Sequence, residues 1–91
     1  MKVGLTVKLF GEGEAFTMVS DTAQVRPVDC ARRWRCAFPT RDCPIDPRLM
    51  ASVVVAVDGL EIGEADFSEA DNDVLVLGGE WPSAIAATSY A

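Results

Sequence analysis

The feature that most constrains this chain is the run Ser52-Val53-Val54-Val55-Ala56-Val57, closed by Asp58-Gly59. β-Branched side chains at that density favour an extended backbone. Asp-Gly supplies the two positive-φ positions of a tight hairpin turn. The run predicts a buried strand over 52–57 entering a turn at 58–59. Leu60-Glu61-Ile62 then returns briefly as an edge strand. Residues 63–72 read as an acidic loop tethered by Phe67, and the apolar Val74-Leu75-Val76-Leu77 predicts a last strand over 73–77.

At the start of the chain, Val3, Leu5, Val7 and Leu9 alternate with Lys2, Gly4, Thr6 and Lys8. That period of two predicts a strand over 2–10 with one buried face. Gly11 and Gly13 supply a reversal, Ala15-Phe16-Thr17-Met18-Val19 returns as a second strand, and Ser20-Asp21-Thr22 ends it with turn chemistry. Between Pro27 and Ala37 the pattern reads as helical. Cys30, Ala31, Trp34, Ala37 and Phe38 fall within an arc of roughly 120° at 100° per residue, and Asp29, Arg32, Arg33, Arg35 and Cys36 lie off it. The expectation is one helix over 27–37, with Pro27 in its first turn and Trp34 and Phe38 as its core anchors. Val28 does not fit the arc. Pro39, Pro44 and Pro47 then interrupt regular structure across 39–49, a long loop for a domain of this size. The sum is an α+β domain.

Charge narrows the function. The net charge is −6, with eight acids and no Lys or Arg over 49–91, while six of the eight basic residues, all Arg, lie within 26–48. Such a dipolar chain favours a protein partner with a complementary patch and is wrong for a general nucleic-acid binder. No apolar run approaches the roughly 18 residues that cross a bilayer. Met1-Lys2 leads directly into a strand pattern with no cleavable apolar segment, so no membrane and a cytoplasmic location are expected.

Nothing in the sequence points to a catalytic residue, a metal or a cofactor. There is no histidine, the Cys30-x5-Cys36 and Cys36-x6-Cys43 spacings match no common zinc motif, and Gly11-Glu12-Gly13 precedes a strand pattern rather than a helix. An enzyme is not expected. Three cysteines make an odd count, so reduced thiols are the default. Cys30 reads as a small core residue. Cys36 and Cys43 are the candidate redox thiols: Arg32 and Arg33 one helical turn away would favour a Cys36 thiolate, and the spacing admits a Cys36–Cys43 bridge. The competing reading is a half-exposed, unreactive thiol.

Over most of residues 1–77 the chain resembles the ubiquitin-like sulfur carriers, the small subunit of molybdopterin synthase and the thiamine sulfur carrier. The matching segments are Val7-Lys8-Leu9-Phe10-Gly11, Ala23-Gln24-Val25-Arg26, Val54-Val55-Ala56-Val57-Asp58-Gly59 and Asp71-Asn72-Asp73-Val74. The resemblance implies a β-grasp fold, a mixed sheet of four or five strands packed on one main helix. It divides the chain into a β-grasp domain at 1–79 and a C-terminal extension at 80–91. Carriers of this family end in Gly-Gly, whose terminal carboxylate is adenylated by an activating enzyme and becomes a thiocarboxylate. Here Gly78-Gly79 stands about four residues early in that pattern, and twelve residues follow it. Two functions stay open. In one, removal of residues 80–91 exposes Gly78-Gly79 as the sulfur-carrying terminus, and the partner is an activating enzyme. In the other, Gly78-Gly79 is a turn, and the chain is a non-catalytic interaction module or a subunit of a larger enzyme, with a homodimer through strand-edge pairing as a further option. The contacts would come from Arg32, Arg33, Arg35 and Trp81. The tail adds Ile85 and Tyr90, with Ser83 placed to cap a short helical turn from Ala84.

Overall fold

Alternation governs almost every element of the computed structural model, which describes residues 2–11, 13–30, 32–70 and 73–82. Seven strands follow in chain order: β1 (Val3–Leu9), β2 (Ala15–Ser20), β3 (Gln24–Val28), β4 (Arg33–Pro39), β5 (Met50–Val57), β6 (Leu60–Ala70) and β7 (Val74–Glu80). All neighbours pair antiparallel in the order β2-β1-β5-β6-β7-β4-β3, a sheet curled into a half-barrel. Its inner face is the core. Val3, Leu5 and Val7 enter from β1, Trp34, Cys36 and Phe38 from β4, Val53 and Val55 from β5, and Leu75 and Leu77 from β7, all buried.

The curl comes from β6. Its first half, to Ala65, pairs with β5, and from Asp66 it pairs with β7. Register shifts opposite Val55/Ala56 and between Phe67 and Glu69 leave an extra residue at each place. Bulges of this kind bend a strand and raise its twist, so one strand serves both halves. Gly63, at φ +121°, lies in the first bulge, where a side chain would strain the backbone.

The expected helix over 27–37 is absent, and with it the β-grasp: among the described residues there is no α-helix, and the fold is all-β. Residues 24–39 form the β3–β4 hairpin, turned through Asp29 and Cys30, both at positive φ. Trp34 and Phe38 are core anchors as expected, but on a strand. Four residues is close to one helical turn and is also two full strand periods, so this pair fits either structure. Cys36 separates the two: a strand buries it, a helix would not, and it is fully buried. Pro27 lies on an outermost strand, where a missing N–H is tolerated.

The 60–62 edge strand and the 63–72 loop are corrected as well. Residues 60–70 are one central strand, and Phe67 packs against the core. Asp58 (φ +50°) and Gly59 (φ +86°) form the expected tight turn, joining Val57 to Leu60. The proline-rich segment is a strap. Two single turns of 3-10 helix, Thr40–Asp42 and Pro47–Leu49, flank Cys43, which is buried, and Ile45, which packs on the core. Ser20 Oγ donates to Asp42 Oδ2 (2.6 Å) at one end of the strap, and the Phe10 amide donates to the Leu49 carbonyl (3.0 Å) at the other.

Candidate functional site

Because β4 alternates strictly, Arg33 and Arg35 project from the outer face, opposite Trp34 and Cys36. The β3–β4 register sets Arg26 directly across from Arg35, and the β4–β7 register places Gly78 on the other side of Arg35. Gly78 offers no side chain, so the three exposed arginines line open space. A hollow of about 410 Å³ lies among Val28, Asp29, Arg33, Arg35 and Gly78. A second of about 250 Å³ lies among Gln24, Arg26, Val28, Arg35, Ala37 and Val76, and shares Val28 and Arg35 with the first.

Like charges directly opposite in a sheet destabilise it by a few tenths to about 1 kcal/mol. Among the described residues no ion pair offsets it, although Glu80 stands across from Arg33 and Asp29 borders the first hollow. The Arg26 guanidinium reaches only the Gln24 Oε1, at 3.4 Å. Among the described residues the one ion pair is elsewhere, between exposed Arg48 and Asp46 at 2.8 Å, where the guanidinium holds the Asp46 carboxyl below its ordinary range. Arginine presents a planar fork of donors that matches carboxylate and phosphate oxygens, so the face is suited to an anionic group.

The other expected contacts lie apart from this face. Arg32 is exposed in the β3–β4 turn, its amide bonded to the Asp29 carbonyl and its own carbonyl accepting from the Trp81 amide at 3.3 Å. Trp81 is half-buried against the core. Ser83, Ala84, Ile85 and Tyr90 lie outside the described residues, as do Asp71 and Asn72. Arg26 was missed by the sequence reading because the helix expected from Pro27 placed it outside the element. The available signal was the alternation Arg33-Trp34-Arg35-Cys36, together with Val28, which fits the hairpin and not the helical arc.

Gly78-Gly79 is not a terminal tail or a turn. Both glycines lie inside β7, which continues to Glu80. Gly79 is buried, and a Cβ there would stand 2.5 Å from Cζ2 of Trp34 and 2.7 Å from the Glu64 carbonyl oxygen. Above it the Trp34 indole N–H donates to the carbonyls of Ile62 (3.2 Å) and Glu80 (3.3 Å). Ile62 is the extra residue of the first bulge, so its carbonyl is offered to the indole. The glycine is required because an indole lies against its α-carbon.

The thiols are also placed differently from expectation. Cys36 faces the core, and burial pushes its thiol up to about 12. Burial also raises Cys43, partly countered by a backbone hydrogen bond from Ile45. Both are neutral thiols at physiological pH and poor nucleophiles. Cys30, expected in the core, is exposed.

Among the described residues no group of His, Cys, Asp and Glu side chains could hold a metal ion, and no helix is long and apolar enough to cross a membrane. No family model, curated protein or solved structure matches the chain. With no α-helix among the described residues, the β-grasp fold from which the sulfur-carrier reading was drawn is overturned.

Proposed function

We propose that this chain is a non-catalytic interaction module that binds an acidic segment of a partner protein across the outer face of β3, β4 and β7. The observation that carries the reading is the opposed Arg26–Arg35 pair, joined by Arg33 on the same face and lining two adjoining hollows, with no ion pair to any of the three among the described residues although Glu80 stands across from Arg33 and Asp29 borders the first hollow. Uncompensated like charge in a small fold is a local conflict of the kind found at binding sites. An incoming carboxylate relieves it and gains forked hydrogen bonds. A short acidic segment can be confined to the three arginines, whereas an extended polynucleotide would also run past the acids of a chain of net charge −6. The module acts in the cytoplasm, where its three cysteines, none of them in a disulfide, stay reduced.

The test is a titration of the 15N-labelled chain with a Glu/Asp-rich peptide, its Gln/Asn counterpart and a single-stranded oligonucleotide. Amide shifts confined to residues 24–28, 33–37 and 76–79 are expected with the acidic peptide alone. They should weaken with salt and vanish in R33E/R35E. Shifts elsewhere, or stronger binding of the oligonucleotide, would overturn the reading.

A further inference from the structure

We infer that two copies of this chain associate by pairing their β2 edges antiparallel, joining the two half-barrels into one continuous sheet. The inference is independent of the arginine face.

A half-barrel has two outer strands, and here they differ. The β3 edge carries Pro27, which cannot donate to a further strand, and the charged Arg26. Both are common means of blocking edge pairing. The β2 edge has neither. Ala15-Phe16-Thr17-Met18-Val19 contains no charge and no proline, and among the described residues its backbone makes no bond outside its ladder with β1. Only its Ser20 end is engaged, through Asp42 of the strap. Phe16 is 39% exposed and Val19 is 55% exposed.

The occupant follows from charge. A chain of net charge −6 repels its own copy wherever acids are presented. The acidic strand β6 lies three positions from β2 in the sheet. The rows that neighbour the edge are Ala15–Lys8–Ser52, Thr17–Thr6–Val54 and Val19–Gly4–Ala56, with Lys8 as their one charge. A hollow of about 470 Å³ beside the edge is lined by Gly4, Thr17, Val19, Ala56 and Gly59, with Lys2 and Asp58, one charge of each sign, at its border. Within the 15–20 seam a like-charged copy meets no acid, and the nearest, Glu14 and Asp21, lie just beyond its two ends. The segment is also self-complementary about Thr17: Thr17 meets the partner's Thr17, Phe16 meets the partner's Met18, and Ala15 meets the partner's Val19. Each apolar side chain then gains an apolar neighbour. With β3 blocked, pairing closes at two copies instead of running into a filament.

Sedimentation equilibrium of the full chain from micromolar to millimolar concentration tests this. A concentration-dependent rise from 9.8 kDa to twice that mass is expected. T17K and T17E each oppose like charges across the two-fold and should weaken association about tenfold or more. Mixing the two variants should restore it, which a folding defect would not do. Hydrogen exchange gives a second readout that needs no variant: the amides of 15–19 should gain protection as wild-type concentration rises. A monomer throughout, a dimer indifferent to both charges, or protection that ignores concentration would each overturn the inference. The last would place another segment of the same chain on the edge. Loss of acidic-peptide binding in R33E/R35E with the dimer intact would leave this inference untouched, so the two proposals fail separately.

Discussion

The Trp34 indole rests on Gly79 and spends its one N–H on two carbonyls, those of Ile62 and Glu80. A methyl group at 79 meets a ring edge and a backbone oxygen, and neither moves freely in a packed interior. Gly79→Ala is expected to lower stability by about 1–3 kcal/mol, as overpacking does. Thermal unfolding followed by circular dichroism should show a fall in Tm of several degrees. In a Trp34→Phe background the same substitution should cost less, because the smaller ring vacates the space. That coupling appears as non-additivity in the cycle. The sequence offers Gly78-Gly79 as turn composition or a flexible end. Only the position of Trp34, far away in the chain, turns it into a packing requirement.

At the scale of elements, the β3–β4 hairpin is where local pattern and final structure part. Trp34 and Phe38 satisfy both periods, and Pro27 fits a helix start as well as an outer strand. The deciding facts are the burial of Cys36 and the hydrogen-bonding partner that β7 provides for β4. The hairpin carries its own strain in Arg26 opposite Arg35. Arg35→Thr, a good strand former, should therefore raise stability in urea denaturation by about 0.2–1 kcal/mol at low ionic strength. The difference should shrink in 1 M salt, where the screening length is about 3 Å. The same variant should bind the acidic peptide more weakly. Stability gained as binding is lost marks a residue kept for contact.

Across the whole molecule, the core is a single inner face closed by the strap, and Cys36 sits within it. Its folded thiol titrates near 12, against 9.0 for an unperturbed group. The unfolded chain therefore releases this proton first as pH rises. The contribution is intact below 9.0 and is lost as the pH climbs from there towards about 12. Urea midpoints should fall across this alkaline window in the wild type. Cys36→Ala should fall less steeply, whatever its stability at neutral pH. Equal slopes in the two proteins would show that Cys36 is not the group responsible.

Local chemistry alone was enough to set β1, β2, the 52–57 part of β5, the Val74–Leu77 part of β7, the Asp58-Gly59 turn and the dipolar split of charge. Strict alternation and a positive-φ dipeptide act within a few residues of themselves. The strand state of 24–39, the continuation of β6 through its acidic stretch and the burial of Gly79 came from tertiary structure. Each depends on a partner strand supplying hydrogen bonds or a ring from distant sequence. The arginine face belongs to both levels: the residues are legible as a cluster, but Arg26 stands opposite Arg35 only because β3 and β4 pair in that register.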